Sequence, residues 1–190
     1  LYPYADFFVV NISSPNTPDL RRLQHGDELK LLLSTVSAEL SRQAGDSRPK
    51  PVFVKIAPDL GDEELEQTVD TIAAGGVSGL IATNTTLSRE GLTHGNRQET
   101  GGLSGMPLRA RSTAIVRRVY AQTNGRLPIV GSGGIFTAED AYAKIRAGAS
   151  LVEIYTALIY EGPEVNRALH EGLKRLLRTD GFTHISQAVG

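Results

Sequence analysis

The stretch that decides the fold is residues 9–17, Val-Val-Asn-Ile-Ser-Ser-Pro-Asn-Thr. It begins in an apolar β run and ends in amides, hydroxyls and a proline. A strand that ends in this way is typical of α/β proteins, which build their sites at the carboxyl edge of a parallel sheet. Pro15 also forces Ser14 into extended backbone, so the stretch predicts a rigidly placed hydroxyl. The alternative interpretation is an ordinary turn rich in Asn, Ser and Pro.

Further along the chain, short apolar runs alternate with helical patterns five times. Because these runs are almost continuously hydrophobic, they indicate strands buried on both faces of a parallel sheet. Strands are predicted at 7–13, 52–57, 79–84, 129–133 and 151–155. Helices are predicted at 27–43, 62–74, 108–122, 138–147 and 164–177, the fourth capped by Thr137. The polar, glycine-rich segment 85–107 is predicted to be a functional lid or a disordered loop.

Repeated βα units fit two architectures, an open doubly wound sheet or a (β/α)8 barrel. A barrel needs eight strands and about 250 residues. This chain supplies five units in 190 residues, and it begins at Leu1 rather than at a methionine. We therefore expect residues 1–190 to form a single domain that lacks an N-terminal part.

Composition excludes several classes of function. The formal net charge is -1 and no basic cluster occurs, which argues against nucleic acid as a main partner. No apolar run is long enough to span a bilayer. The absence of cysteine excludes thiolate zinc sites, iron–sulfur clusters and a cysteine nucleophile. No histidine spacing matches a metal site.

Lys55 is the most informative single residue, because it lies inside the predicted second strand. An unpaired ammonium buried there costs several kcal/mol, so it requires an anionic or strongly polar partner. The preferred interpretation is a bound anion or a polarisable cofactor. The alternative is an internal salt bridge to Glu153, the one acid inside a predicted strand.

Glycines end the fourth strand, in the sequence Gly-Ser-Gly-Gly at 131–134. Successive glycines let a backbone approach a phosphate, and the start of the next helix supplies N–H groups. Phe136 occupies the third glycine position of a dinucleotide fingerprint, so this motif differs from that fingerprint. Tyr155 and Thr156 end the fifth strand, where barrels complete a phosphate site. An ordinary tight βα turn is the alternative.

Together these motifs resemble the dihydroorotate dehydrogenase family, and most closely its class 2, quinone-linked branch. The stretches that carry the resemblance are NISSPNT at 11–17, VKIAPDL at 54–60, ATNTT at 82–86, ETGGLSG at 99–105, IVGSGGI at 129–135 and LVEIYT at 151–156. They follow one another in order over essentially the whole chain. Class 1 members place a cysteine where Ser14 stands, which favours class 2.

The resemblance implies a (β/α)8 TIM barrel, with this chain as the part from about the fourth strand onward. It implies a bound flavin mononucleotide (FMN) and the oxidation of dihydroorotate to orotate in pyrimidine synthesis, with a quinone as final acceptor. Peripheral membrane contact would come from helices absent from this chain. That membrane would be the mitochondrial inner membrane in a eukaryote, or the cell membrane, at its cytoplasmic face, in a bacterium.

The matching positions imply roles for individual residues. Ser14 would remove the C5 proton of the substrate while C6 passes hydride to the flavin, and Thr17 would relay the proton. Lys55 would face the N1/O2 edge of the flavin and stabilise its reduced anion. The substrate would be held by Asn11, Asn16, Asn84 and Thr85. FMN would also contact Asn11, Thr83, Gly105, Gly134, Tyr155 and Thr156, the last three at its phosphate.

Two other functions remain open from the residues. One is a non-catalytic half-barrel that binds a flavin or a phosphate. The other is an FMN enzyme that acts on dihydropyrimidines or dihydrouridine, although those families normally carry a cysteine near the reacting ring and this chain has none. Five strands by themselves are expected to bind FMN poorly and to expose strand edges.

Overall fold

The structure is a computed structural model, and it describes residues 1–17 and 19–190. Five parallel strands form one sheet: β1 Phe8–Asn11, β2 Val52–Ile56, β3 Gly79–Ala82, β4 Ile129–Ser132 and β5 Leu151–Glu153. The α-helices are α1 Gly26–Ala44, α2 Asp62–Ala74, α3 Arg109–Thr123, α4 Ala138–Arg146, α5 Thr156–Glu161 and α6 Glu164–Thr179. No helix in these two ranges combines the length and the hydropathy that crossing a membrane requires.

The strands lie in sequence order across the sheet, from β1 to β5. An open doubly wound sheet reverses its strand order at a switch point, whereas a barrel wall adds each strand beside the last. The order therefore confirms the barrel architecture, of which five βα units are present.

The helices cover one face of this wall. Val54 and Ile56 on β2 and Leu80 on β3 are fully buried there. They pack in one apolar cluster with helix residues that include Leu29, Leu65, Ile72 and Ile115. The cluster lies on one face, so the prediction of strands buried on both faces is correct only for β3, whose four residues are all buried. Along β2 and β4, buried and partly exposed residues alternate, because the second face of these strands is not covered by the helices.

The other face of the sheet is concave. Lys55 on β2 and Glu153 on β5 meet there, with 3.1 Å between Nζ and Oε1, although β3 and β4 lie between their strands. In a flat sheet with about 4.8 Å between neighbours, those strands would be roughly 14 Å apart. The contact therefore requires a curved sheet, as in a barrel wall.

Both edges of the wall are open in the part of the chain that the structure describes, since β1 pairs only with β2 and β5 only with β4. Apolar side chains near these edges are exposed: Phe7 by 56 %, Val9 by 40 % and Leu151 by 63 %. The exposed edges predicted for a five-stranded wall are present.

The sequence predicts the element ends to within two residues, and Thr137 caps α4 by accepting from Asp140 N. The predicted strands extend too far at their carboxyl ends, because the polar residues there leave the hydrogen-bonded ladder and turn towards the site. The short α5 was missed, since six residues carry too little periodicity to be recognised.

Candidate functional site

A cleft opens at the carboxyl ends of the strands, which we call the carboxyl rim. It gathers eight of the predicted site residues: Lys55, Thr83, Asn84, Thr85, Gly105, Gly134, Tyr155 and Thr156. The remaining predicted residues, Asn11, Ser14, Asn16 and Thr17, follow β1 at the same rim but do not line the cleft. The cleft is thus assembled from β2 to β5 and the loops that follow them.

Lys55 has a protein partner, while the preferred interpretation of a bound anion or cofactor beside it stays a prediction. Its Nζ donates to Glu153 at 3.1 Å, so the internal salt bridge given as the alternative is present. The two side chains are 19 % and 42 % exposed, and both line the cleft. The ion pair therefore leaves Lys55 facing the space where a ligand would lie.

Two amide side chains meet at the rim: Asn11, the last residue of β1 and in register with Lys55, and Asn84, two residues after the end of β3. Asn84 Nδ2 donates to Asn11 Oδ1 at 3.1 Å and to Ser13 Oγ at 3.0 Å. Thr85 N donates to Asn84 Oδ1 at 2.8 Å, which fixes the orientation of the amide. We call Asn11, Ser13 and Asn84 the amide cluster.

Ser13 is a residue that the sequence reasoning missed. It is completely buried, and its Oγ donates to Asn11 Oδ1 at 3.2 Å. Residues two apart in an extended chain point to the same side. The spacing of Asn11 and Ser13 therefore carried a signal that could have identified it.

The predicted base and its relay are not joined by a hydrogen bond among the described residues. Ser14 Oγ accepts from Asn16 N at 3.3 Å. Thr17 is exposed, as is Asn16. The roles of Ser14 and Thr17 therefore stay predictions that rest on the resemblance.

The long segment 85–107 is anchored across the rim. Thr86 and Leu103 form an antiparallel bridge, and Thr156 Oγ1 donates to Ser104 Oγ at 2.9 Å. A Cβ on Gly102 would come within 1.8 Å of Thr85 Oγ1 and 2.9 Å of Pro15 Cγ, so only glycine fits there. The segment consequently links the Ser14 end of the rim to the Thr156 end.

The glycine turn, residues 131–134, forms the far end of the cleft. Gly134 has φ +73°, and a Cβ on it would come within 2.4 Å of Arg109 Cα. The N–H groups of Gly134 and Ile135 have no hydrogen-bond partner among the described residues, whereas Phe136 N and Thr137 N donate to Asp140 Oδ2 at 3.0 Å. Unpaired N–H groups beside close-packed glycine backbone are suited to an anion.

Arg21 ties three loops of the rim together. Its guanidinium donates to Ser13 O at 3.1 Å, to Asp59 Oδ2 at 2.8 Å and to Thr85 O at 3.2 Å. The side chain is 22 % exposed, so these bonds are partly shielded from water. Arg21 therefore fixes the loops that carry the amide cluster.

Asp59 completes this connection. It accepts hydrogen bonds from Thr86 Oγ1 and from Leu87 N, besides that from Arg21. Burial raises the pKa of Asp59, but the three hydrogen bonds and the Arg21 charge outweigh it and hold the pKa below its ordinary value. Neither Asp59 nor Arg21 is predicted from the sequence, because hydrogen bonds between separate loops leave no local pattern.

We expect Asp59→Ala to lower the free energy of unfolding by about 2–4 kcal/mol at neutral pH, since it leaves Arg21, Thr86 and Leu87 without their acceptor. Because the folded pKa is lowered, the contribution of Asp59 is complete above its unfolded pKa of 3.8 and is lost as the pH falls through the folded value. Urea unfolding at neutral pH and near pH 3 measures both effects. The control is Asp62→Ala, whose carboxylate is 77 % exposed and pairs with Arg118; its cost should stay below about 1 kcal/mol. Equal losses for the two variants would contradict the role of Asp59.

The chain is similar to one known protein family and to individual members of it. Residues 1–177 match the family model described as dihydroorotate dehydrogenase. The chain is 56 % identical over its whole length to a dihydroorotate dehydrogenase (quinone) of Deinococcus deserti and 54 % identical over 98 % of its length to that of Deinococcus radiodurans. It covers 53 % and 51 % of these two relatives, so it spans about half of their length.

Solved structures agree with the sequence relatives. The ligand-free enzyme of Eimeria tenella superposes with a TM-score of 0.92 at 45 % identity, over 98 % of this chain and 55 % of that one. The complex of the Eimeria tenella enzyme with ferulenol superposes with a TM-score of 0.93 at 44 % identity, over 100 % of this chain and 54 % of that one.

Proposed function

The chain belongs to the dihydroorotate dehydrogenase family, and on that premise we propose that its protein oxidises dihydroorotate to orotate. FMN would accept the hydride and a quinone would be the final acceptor. The observation that carries the proposal is the meeting of three features at one rim: the amide cluster, Lys55 and the glycine turn. Each offers a different chemistry, and together they match one ligand that joins a ring system to a phosphate.

The residues present fit such a ligand. The N–H groups of Gly134 and Ile135, which have no partner in the part of the chain that the structure describes, would supply donors for a phosphate at one end of the cleft. Lys55 supplies positive charge in the middle, and the 101–105 segment bounds the cleft through Ser104 and Gly105. When bound, FMN supplies a hydride acceptor that no amino-acid side chain can replace. Thr83, Gly105, Tyr155 and Thr156 complete the predicted contacts.

The substrate would lie against the amide cluster. An amide both donates and accepts hydrogen bonds, which complements the alternating C=O and N–H groups of a dihydropyrimidine ring. Asn11 and Asn84 are held in place by each other and by Ser13, so they present a preorganised surface. Asn16 and Thr85 would add contacts from the neighbouring loops.

Ser14 would accept the proton from the substrate. A hydroxyl is a weak base at its ordinary pKa, so it requires a partner that removes its own proton. Thr17 is the proposed relay. Rigid placement of Ser14 by Pro15 supports this role, because a general base must lie within hydrogen-bond reach of the proton that it abstracts.

A quinone acceptor implies that the protein meets a membrane, the phase in which quinones dissolve. The relatives from Deinococcus are bacterial, and they are more similar to this chain than the Eimeria tenella structures are. This similarity supports a proposed location at the cytoplasmic face of a bacterial cell membrane. The mitochondrial inner membrane is the corresponding place if the source is eukaryotic.

The test uses the protein expressed from its complete gene, purified with FMN and mixed anaerobically with dihydroorotate. The visible absorbance of the flavin is expected to bleach and to return when a quinone is added. Persistent absorbance under dihydroorotate would support the non-catalytic half-barrel. Bleaching by dihydrouracil, which lacks the carboxylate, but not by dihydroorotate would support a different dihydropyrimidine oxidoreductase.

A further inference from the structure

Lys144 is a completely buried lysine that the mechanism above does not use. Its Nζ donates to Ser112 Oγ at 2.8 Å and to Thr113 Oγ1 at 3.1 Å. No carboxylate among the described residues lies within ion-pair distance of it. Asp140 is the nearby acid, but its carboxylate pairs with Arg109 at 3.0 Å.

Lys144, Arg109 and Asp140 together carry an excess of positive charge, although the Arg109 side chain is 38 % exposed. Lys144 and Arg109 supply two positive charges and Asp140 supplies one negative charge, which leaves a formal charge of +1. Burial lowers the pKa of Lys144 to about 8, with Asp140 raising it and Arg109 lowering it further. The ammonium consequently stays mostly protonated near neutral pH, and its charge is left without a direct counter-ion.

This charge lies directly behind the glycine turn. A Cβ on Gly131 would come within 3.1 Å of Lys144 Cδ, so the lysine stem packs against the turn. Ser112 Oγ donates to Ser132 O in the turn and accepts from Lys144 Nζ. Arg109 Nε donates to Gly134 O at 3.2 Å. Gly134 and Ile135 of this turn also line the cleft, and their N–H groups have no hydrogen-bond partner within residues 1–17 and 19–190.

We propose that Lys144 is a positioning residue for the phosphate of the cofactor: its buried charge, held behind the glycine turn, selects a phosphorylated flavin over the same flavin without phosphate. The inference rests on the proposed function, because that function supplies the flavin. Lys144 itself need not touch the phosphate, since a charge acts through a low-dielectric interior over several ångströms.

If Lys144 had only a structural role, replacing it would weaken the binding of FMN and of riboflavin equally. The proposal predicts a different result. A buried ammonium without a carboxylate lowers the stability of the empty protein, and a methionine of similar length would remove that cost. Ser112 and Thr113 would keep acceptors for their hydroxyl protons, the carbonyls of Ser132 and Arg109. We therefore expect Lys144→Met to leave the stability of the flavin-free protein unchanged or higher, while it weakens FMN binding.

The experiment compares FMN with riboflavin, which lacks the phosphate. Dissociation constants are measured for the wild-type protein from its complete gene, for Lys144→Met and for Lys174→Met, a control whose side chain is 60 % exposed. Lys144→Met is expected to weaken FMN binding about tenfold or more and riboflavin binding less than about twofold. Lys174→Met should change neither.

The pH dependence gives a second readout that needs no variant. The FMN phosphate is a dianion above about pH 7, and ionisation of the flavin ring is common to both ligands. The preference of the wild-type protein for FMN over riboflavin should therefore fall as Lys144 loses its proton, between about pH 7 and pH 10. The charged groups that face Lys144 are Arg109 from α3 and Asp140 from α4.

Several results would overturn the inference. If Lys144→Met weakens FMN and riboflavin binding equally, Lys144 has a structural role and does not select the phosphate. If the variant binds FMN as tightly as the wild-type protein does, Lys144 has no role in cofactor binding. If that variant does not fold, the wild-type protein still provides the test. A preference for FMN over riboflavin that stays constant between about pH 7 and pH 10 would also overturn the inference. Binding of neither flavin by the wild-type protein would instead refute the proposed function, and this inference with it.

Discussion

Ser14→Ala is expected to slow the reduction of bound flavin by dihydroorotate about 10²- to 10⁴-fold, the range that a positioned general base contributes. Ser14 is not part of the amide cluster, and it does not line the cleft. FMN should therefore remain bound, and dihydroorotate should bind with little change in affinity. Stopped-flow measurement of flavin absorbance, with dihydroorotate in excess, isolates this step from reoxidation by quinone.

Two further variants sharpen this result. Ser34→Ala removes an exposed hydroxyl of α1 that donates to Leu31 O, and it should reduce flavin at the wild-type rate. Thr17→Val tests the relay: a loss of similar order to that of Ser14→Ala supports it, and an unchanged rate removes Thr17 from the mechanism. Reduction of Ser14→Ala at the wild-type rate would refute the role of Ser14.

The second large effect is expected at Lys55. Lys55→Met should weaken FMN binding about 10- to 100-fold, because it removes the positive charge in the middle of the cleft and leaves Glu153 unpaired. It should also lower the midpoint potential of the bound flavin by about 30–60 mV, since a cation beside the ring favours the more negative reduced form. Equilibrium titration with FMN and potentiometry with redox dyes measure the two effects separately.

The partner of Lys55 provides the matched comparison. Glu153→Gln keeps the cation and removes the opposing charge, so the potential should rise or stay unchanged. The double variant combines Lys55→Met with Glu153→Gln. If Lys55 served only to neutralise Glu153, the midpoint potential of the double variant would equal that of Glu153→Gln alone. Lys30→Met, whose side chain is 66 % exposed on α1, controls for loss of a lysine and should leave both quantities unchanged.

The comparison of Lys55 with Glu153 also shows where sequence reasoning reached its limit. The sequence identified Lys55 as a cation that needs an anionic partner. Burying an unpaired lysine inside an apolar strand costs free energy in any fold. The sequence favoured a bound anion over a salt bridge to Glu153, because lysine is seldom fully buried in proteins. Glu153 lies 98 positions further along the chain. Only the curvature of the sheet brings β2 and β5 close enough for the pair to form.

Lys144 illustrates the same limit more strongly. On a helix such as α4 a lysine is ordinarily solvent-exposed, and its spacing gave no sign of burial. The structure buries it completely, because α3 and the glycine turn close over it from two sides. Arg21 and Asp59 were missed for a related reason, since their bonds join separate loops.

The sequence by itself determined the βα order, the ends of the five strands and of every α-helix except α5 to within two residues, and the polar residues that end each strand. These features follow from local physics: apolar periodicity, helix caps and turn chemistry act over a few neighbouring residues. Tertiary structure alone decided which polar side chains of different strands meet, and that a positive charge is buried behind the glycine turn. Those outcomes depend on sheet curvature and on packing between distant segments, which no local pattern encodes.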